Sequence, residues 1–187
     1  MKISLMADDV PYFSQRNNEL EPNSSCNVTA MVQALCLLRM DFPLSKFSQP
    51  EDALRDLIVS GGGDPTIHAD LSKGFNEWAG RQMTRFTTAA RIDDIILDLK
   101  NGKPSVMSGT FPYYNNDSIK NIGHIVTISG VELSEDNAPL SWEVQDPYGD
   151  TWKNWSGSGR NIKFSHEQFI NYLKPLKGKD KWRHYFF

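Results

Sequence analysis

The chain has few cysteines and no long apolar run. Two cysteines in 187 residues allow one disulfide at most, which excludes the small folds that depend on several disulfides. No stretch reaches the roughly 20 apolar residues of a membrane-spanning helix, so we expect no stable insertion into a membrane. Repeats, low-complexity tracts and linker-like runs are also missing. We therefore predict one domain over residues 1–187.

An excess of basic charge is missing as well. Lysine and arginine together number 20 against 23 aspartates and glutamates, which gives a formal net charge of −3. Domains that bind nucleic acid usually carry a basic stripe or patch, whereas the basic residues here are scattered. We therefore expect no nucleic-acid partner.

The first nine residues lack the features of a secretion signal. Met1–Asp9 is apolar over only a few positions before two aspartates, and no convincing cleavage site follows. We expect a protein made in the cytoplasm without a signal peptide. The sequence determines neither the site of action of the protein nor its oligomeric state. One candidate site of action is the cell wall, after lysis or delivery.

The two cysteines lie ten positions apart on one predicted helix. That spacing separates Cys26 from Cys36 by roughly 15 Å along the helix axis. A disulfide needs Cα atoms within about 7 Å, so we predict two free thiols. Cys36 lies beside Leu35 and Leu37, and we interpret it as a packing residue.

Cys26 lies where a helix is expected to begin. Polar, turn-forming residues precede it, and an apolar face at helical spacing follows at Val28, Met31 and Leu35. A thiol in the first turn of a helix is close to unpaired backbone N–H groups and to the positive end of the helix dipole, which favour the thiolate. Since the thiolate is the nucleophile of cysteine chemistry, Cys26 is a candidate catalytic nucleophile.

The first half of the chain reads as mostly helical. Ser48–Glu51 has the pattern of a capping box and predicts a helix that continues to about Val59. Two further apolar stripes at helical spacing follow, one at Leu71, Phe75 and Trp78, and one from Ile92 to Leu99.

The second half changes to the pattern of strands. Residues 105–108, 123–133, 141–145 and 182–187 are rich in β-branched and aromatic residues between turn signals. A second capping box, Ser165–Gln168, predicts a helix to about Leu173. Helices followed by strands predict an α+β fold in which N-terminal helices pack on a mostly antiparallel sheet.

Two polar residues flank the predicted hairpin of the second half. His124 follows Gly123 at the start of one strand, and Asp146 ends the next strand before Pro147. Each has an ordinary structural explanation, as a hydrogen-bonded strand histidine and as the opening residue of a turn. If the strands pair, however, the two side chains meet at about 5 Å. With Cys26 they would supply a nucleophile, a base and a group that orients the base.

At four places the chain resembles the C39-like peptidases, a branch of the papain-like cysteine hydrolases. The similar blocks occur in the family's order and are Val10–Gln15, Ser25–Thr29, Gly123–Gly130 and Val144–Gly149. The resemblance implies a papain-like fold.

The resemblance also implies roles for four residues. Cys26 would be the nucleophile, His124 the general base and acid, and Asp146 the group that orients the imidazole. Gln15 would be the side-chain donor to the oxyanion. The gap between Gln15 and Cys26 is wider than is usual in the family, so the inserted loop is expected to shape the cleft.

The function that follows is hydrolysis of amide bonds by a cysteine peptidase. Its first expected substrate is a peptide of peptidoglycan, as for an endolysin of phage or bacterial lysis. The alternatives are a protein-directed peptidase, an acyltransferase with the same residues, and a binding or virion module without turnover.

Other polar and aromatic residues have less specific interpretations. His68 could line a cleft, but a capping or surface role is favoured, and His166 and His184 are interpreted as structural. An aromatic group surrounds the Asp146 turn and is either core or a wall of the substrate site; its members are Trp142, Tyr148, Trp152 and Trp155.

No motif for a metal or cofactor is present. Asp146 and Asp150 flank a turn but lack the oxygen-rich run of a calcium loop, and no Cys/His cluster has zinc spacing. Gly61–Gly63 lacks the Lys-Ser/Thr of a phosphate-binding loop. We therefore expect neither a metal nor a cofactor.

Overall fold

The first half of the chain is mostly helical and the second half is mostly strands. A computed structural model describes residues 1–43, 45–115, 118–174 and 181–187. The helices are α1 Cys26–Leu37, α2 Pro50–Ser60, α3 His68–Trp78, α4 Ile92–Lys100 and α5 His166–Tyr172. The strands are β1 Lys2–Ser4, β2 Thr84–Ala90, β3 Ser105–Asn115, β4 Ser118–Leu133, β5 Pro139–Gln145, β6 Ile162–Ser165 and β7 Lys181–Phe186.

One sheet contains all of these strands. Its order is β2–β7–β3–β4–β5–β6, and β1 pairs with the far part of β4. Every pairing between these strands is antiparallel. The α+β class with a mostly antiparallel sheet, which the sequence predicted, is thereby confirmed.

Helices cover both faces of the sheet. Neighbouring residues of β3 point to opposite sides: Val106 packs with α1, α2 and α3, and Met107 packs with α4 and α5. Because both faces are covered, neighbouring residues of the central strands are buried on both sides, as Val126 and Thr127 of β4 are.

A small set of hydrogen bonds fixes α1 against the sheet and against the N-terminal segment. The Thr127 hydroxyl on β4 donates to the carbonyl of Ala30 at 2.8 Å. The side chain of Gln33 accepts from the backbone N–H of Phe13 at 3.0 Å and donates to the carbonyl of Pro11 at 3.1 Å. These contacts determine where the first residue of α1 lies relative to β4.

Several local predictions hold. Both cysteines lie on α1 and are free, and Cys36 is buried among apolar side chains. The capping box at Ser165 and Gln168 is present, with both of its hydrogen bonds. Within the described ranges, each helix is too short or too polar to cross a lipid bilayer.

The capping box predicted at Ser48 is wrong. Gln49 is the N-cap of α2 and makes no side-chain capping bond. The Ser48 hydroxyl donates to the Glu19 carboxylate at 3.0 Å. A contact with a distant part of the chain has replaced the local one.

Three strands were missed. β1 and β6 have only three and four residues, too few to display an alternation. β2 pairs with β7 at the edge of the sheet through an irregular register, so its polar and apolar residues do not alternate cleanly. These strands form because their backbones pair with neighbouring strands, and the spacing of apolar residues in the sequence does not reveal such pairing.

Candidate active site

Cys26 is the first residue of α1 and opens into a cleft of about 600 Å³. Ser25 occupies the N-cap position but makes no side-chain bond to the helix N-terminus. As the first residue of the helix, Cys26 has a backbone N–H without an acceptor inside the helix. A free backbone donor and a partly exposed thiol therefore lie on one residue.

His124 and Asp146 meet as the predicted hairpin required. Thr127 on β4 lies opposite Gln145 on β5, which brings the two polar residues together just beyond the paired region. The imidazole Nε2 lies 2.8 Å from the Asp146 Oδ1. Both side chains are buried, with exposed fractions of 6% and 0%.

The Asp146 carboxylate is held by further donors. Its Oδ1 accepts from the backbone N–H of Tyr148 at 3.0 Å, and its Oδ2 accepts from the Thr151 hydroxyl at 2.5 Å. A buried carboxylate without donors would be strongly destabilising, and these bonds satisfy both oxygens and fix their orientation.

Two hydrogen bonds and the close contact of Gly159 fix the backbone of Asp146. The Asp146 N–H donates to the carbonyl of Gly159 at 2.8 Å, and the Tyr12 hydroxyl donates to the Asp146 carbonyl at 2.5 Å. A Cβ added at Gly159 would lie 1.9 Å from the Asp146 carbonyl oxygen. Only a glycine permits this approach.

The contact with Asp146 decides which imidazole nitrogen can serve Cys26. Because Nε2 faces the carboxylate, Nδ1 is the nitrogen left to exchange a proton with the thiol. The rings of Trp155 and Phe111 stand perpendicular to the imidazole, with centroids 4.9 and 5.4 Å away. They exclude water from it, which strengthens the electrostatic contact with Asp146.

The surroundings shift the two proton-exchanging groups in opposite directions. Burial lowers the pKa of His124, but the charge of Asp146, its hydrogen bond and the neighbouring Cys26 raise the pKa more, so that it lies above its ordinary value. Burial raises the pKa of Cys26, but the hydrogen bond and charge of His124 outweigh it, so that it lies below its ordinary value. The pair is therefore suited to a thiolate beside an imidazolium.

Gln15 lies at the edge of the same cleft, almost fully buried. Its backbone N–H donates to the carbonyl of Pro147, which ties it to the Asp146 turn at 2.9 Å. Its side-chain Nε2 donates to the carbonyl of Pro22 at 2.9 Å. A carboxamide has two N–H donors, so one remains available to a ligand.

The loop between Gln15 and Cys26 is built into the site. Its Glu19 and Leu20 N–H groups donate to the buried carboxylate of Asp52 on α2, each at 2.9 Å. The loop then places the Pro22 carbonyl on Gln15 and lines the cleft with Asn23 and Ser24. The expectation that this loop shapes the cleft agrees with its position.

A comparison with protein-family models matches residues 7–175 to the Peptidase_C39 like family. The match spans most of the chain. The protein belongs to the Peptidase_C39 like family. The resemblance seen in four short sequence blocks therefore extends over all five helices and over strands β2 to β6.

Solved structures add little to this family assignment. The crystal structure of PepW from Lactobacillus rhamnosis HN001 is 11% identical, with a TM-score of 0.34 over 88% of this chain and 56% of that chain. The G161 variant of the Salmonella effector SpvD is 15% identical, with a TM-score of 0.34 over 100% of this chain and 86% of that one. No curated protein sequence gives a match.

The remaining histidines of this C39-like chain divide into two groups. His166 starts α5 and accepts from the Trp142 indole N–H at 3.2 Å, in keeping with the structural role expected for it. His68 does not have the capping or surface role that the sequence favoured. It lines the cleft and contacts His184, a pairing that residues 116 positions apart could not reveal locally.

The aromatic group near Asp146 is mostly core. Trp142 and Trp155 are buried, and Trp152 packs on Phe164 away from the cleft with 37% of its surface exposed. Tyr148 alone lines the cleft. In the part of the chain that is described, no cluster of three or more His, Cys, Asp or Glu residues could hold a metal ion.

The two thiols are expected to differ in reactivity. Burial raises the pKa of Cys36, whereas His124 keeps that of Cys26 low, so iodoacetamide at pH 7 should alkylate Cys26 at least about tenfold faster. The measurement is mass spectrometry of labelled peptides over time. The variants Cys36→Ala and Cys26→Ala report each thiol alone, and equal rates would contradict the assignment of Cys26 as the activated thiol.

Replacing Asp146 by Asn should lower the pKa of His124. The carboxylate raises that pKa, so the imidazolium of Asp146→Asn should lose its proton about 1 to 3 pH units below the pH at which the wild type does. NMR of the His124 ring resonances against pH measures this directly. Asp136→Asn, in the exposed β4–β5 loop, is the matched control and should leave the titration unchanged. An unchanged titration in Asp146→Asn would contradict the electrostatic coupling.

Proposed function

We propose that the protein is a cysteine peptidase in which Cys26 is the nucleophile, His124 transfers protons and Asp146 orients the imidazole. The observation that carries the proposal is the 2.8 Å contact between His124 Nε2 and Asp146, which leaves Nδ1 for a thiol at a helix start. Nucleophile, base and orienting group are the three parts that covalent amide hydrolysis needs.

The reaction would proceed in two halves. The Cys26 thiolate attacks the carbonyl carbon, and the tetrahedral intermediate breaks its C–N bond while His124 gives a proton to the departing amine. A thioester on Cys26 remains. Water then attacks it, His124 takes the proton of that water, and the C–S bond breaks to release a carboxylic acid.

The intermediate of each half carries a negative oxygen. The backbone N–H of Cys26 and the free side-chain N–H of Gln15 are the donors proposed for it. The Pro22 and Pro147 carbonyls support this role because they hold the side chain and the backbone of Gln15 in place before substrate binds.

The substrate we propose is a peptide of peptidoglycan, by similarity of small C39-like domains to phage and bacterial cell-wall peptidases. An open cleft that combines aromatic and uncharged polar side chains is compatible with a peptide chain.

Incubation with purified peptidoglycan and, separately, with a denatured protein tests the function. We expect mass spectrometry to detect new amines from peptidoglycan with the wild type, and with Cys36→Ala as the matched thiol control. Cys26→Ser and His124→Ala should be folded and inactive, because they remove the nucleophile and the base. Turnover at the wild-type rate in either variant would overturn the assigned roles.

The other functions predict different products in the same experiment. Amines released from the denatured protein alone would indicate a protein-directed peptidase. Products that form only when an amine acceptor is added would indicate an acyltransferase. An absence of any product, with a reactive Cys26, would favour a binding module.

Gln15→Ala should separate hydrolysis from thiol reactivity. Loss of one oxyanion donor lowers kcat by about 100- to 1000-fold. Alkylation by iodoacetamide displaces iodide and forms no oxyanion, so its rate at Cys26 should stay near the wild-type value. Exposed Gln82→Ala is the control for both assays. Equal losses in both assays would mean that Gln15 acts on the thiol or the fold and not on the oxyanion.

A further inference from the structure

Two histidines that the proposed mechanism does not use form a hydrogen-bonded chain that ends at the cleft. The Ser108 hydroxyl lies 2.9 Å from His68 Nε2, and His68 Nδ1 lies 2.9 Å from His184 Nε2. His184 Nδ1 lies 2.9 Å from the hydroxyl of Ser72. We call these four residues the polar chain. Ser108 and His68 line the cleft that contains Cys26.

Aromatic packing surrounds the polar chain and keeps it uncharged. The His68 ring is stacked on Phe86 with centroids 4.2 Å apart, and Trp182 stands against its edge. Burial lowers the pKa of His68 to about 4, and burial together with the neighbouring His68 imidazole lowers the pKa of His184 to about 3. Both imidazoles are therefore neutral at physiological pH.

A neutral imidazole donates through one nitrogen and accepts through the other, so all hydrogen bonds of the polar chain run in the same direction. If Ser72 donates to His184, then His184 donates to His68, His68 donates to Ser108, and the Ser108 proton is free to donate into the cleft. If the direction is reversed, Ser108 donates to His68 and its oxygen accepts from the cleft. The chain can thus present either a donor or an acceptor to a ligand, without any change of charge.

Outside the Cys26–His124 pair, whose opposite charges cancel, the described part of the cleft offers no charged side chain. Among the described residues, its wall contains no lysine, arginine, aspartate or glutamate. A charged side chain placed on Ser108 would lose its hydration without gaining an opposite charge, which is strongly unfavourable. An amide or hydroxyl group both donates and accepts, so it fits a site that does the same.

We propose that Ser108 and His68, supported by His184 and Ser72, form a subsite that binds an uncharged hydrogen-bonding side chain next to the scissile bond. Trp182 supplies an apolar wall for the stem of that side chain. This inference rests on the proposed peptidase function and adds a substrate specificity. At one position next to the scissile bond, glutamine, asparagine, serine or threonine is preferred over leucine, lysine and glutamate.

The test uses linear and branched synthetic peptides that carry these seven residues in equal amounts at the positions flanking each bond. Mass spectrometry of the products gives the ratio of cleavage rates. We expect the wild type to prefer the uncharged polar residues by roughly tenfold over leucine at one flanking position, and by more over the charged residues. In Ser108→Ala and His68→Phe the preference over leucine should fall to about one.

The variants are chosen to separate recognition from folding. Phenylalanine in His68→Phe keeps a flat ring for the stack on Phe86 while it removes both nitrogens. Ser60→Ala, at the exposed end of α2, is the control and should keep the wild-type preference. Circular dichroism and alkylation of Cys26 by iodoacetamide verify that the fold and the thiol of each variant are intact.

Each result decides between the two proposals. Cleavage without a polar preference, or a preference that survives in both variants, overturns the subsite and leaves the peptidase function standing. Absence of cleavage of every peptide overturns the peptidase function and the subsite with it.

Discussion

The contact between His124 and Asp146 is the interaction on which the rest of the site depends. A fully buried carboxylate is stable only if donors surround it, and here they come from the imidazole, a backbone N–H and the Thr151 hydroxyl. The same turn carries the Pro147 carbonyl that holds Gln15. One buried charge thus orients the base and anchors the segment that bears the proposed oxyanion donor.

The cleft lies where two layers of the fold meet. The helical layer contributes Cys26 and His68, and the sheet contributes Ser108 and His124. A hydrogen bond from the Thr127 hydroxyl to the α1 backbone fixes the position of α1 on the sheet. Because the reacting groups belong to different layers, their distance depends on how the apolar core packs between the layers. The geometry of the polar chain depends on the same packing.

Local patterns were reliable where a residue's role depends on its own element. The position of Cys26 at a helix start follows from turn residues and an apolar stripe, and the meeting of His124 with Asp146 follows from a hairpin. Patterns failed where a distant partner decided the outcome. Ser48 donates to Glu19 and not to its own helix, and His68 lines the cleft and contacts His184. The edge strand β2 likewise exists through its pairing with β7.

The sequence by itself determined the α+β class, the family resemblance and the identity of the candidate nucleophile, because each rests on short-range spacing and residue chemistry. Only the tertiary structure decided which imidazole nitrogen faces the thiol, how the inserted loop supports Gln15, and that two further histidines reach the cleft. These features depend on contacts between different elements of the fold, and the contact of His68 with His184 joins residues 116 positions apart. Their geometry is set by packing of the helices on the sheet, which no local pattern records.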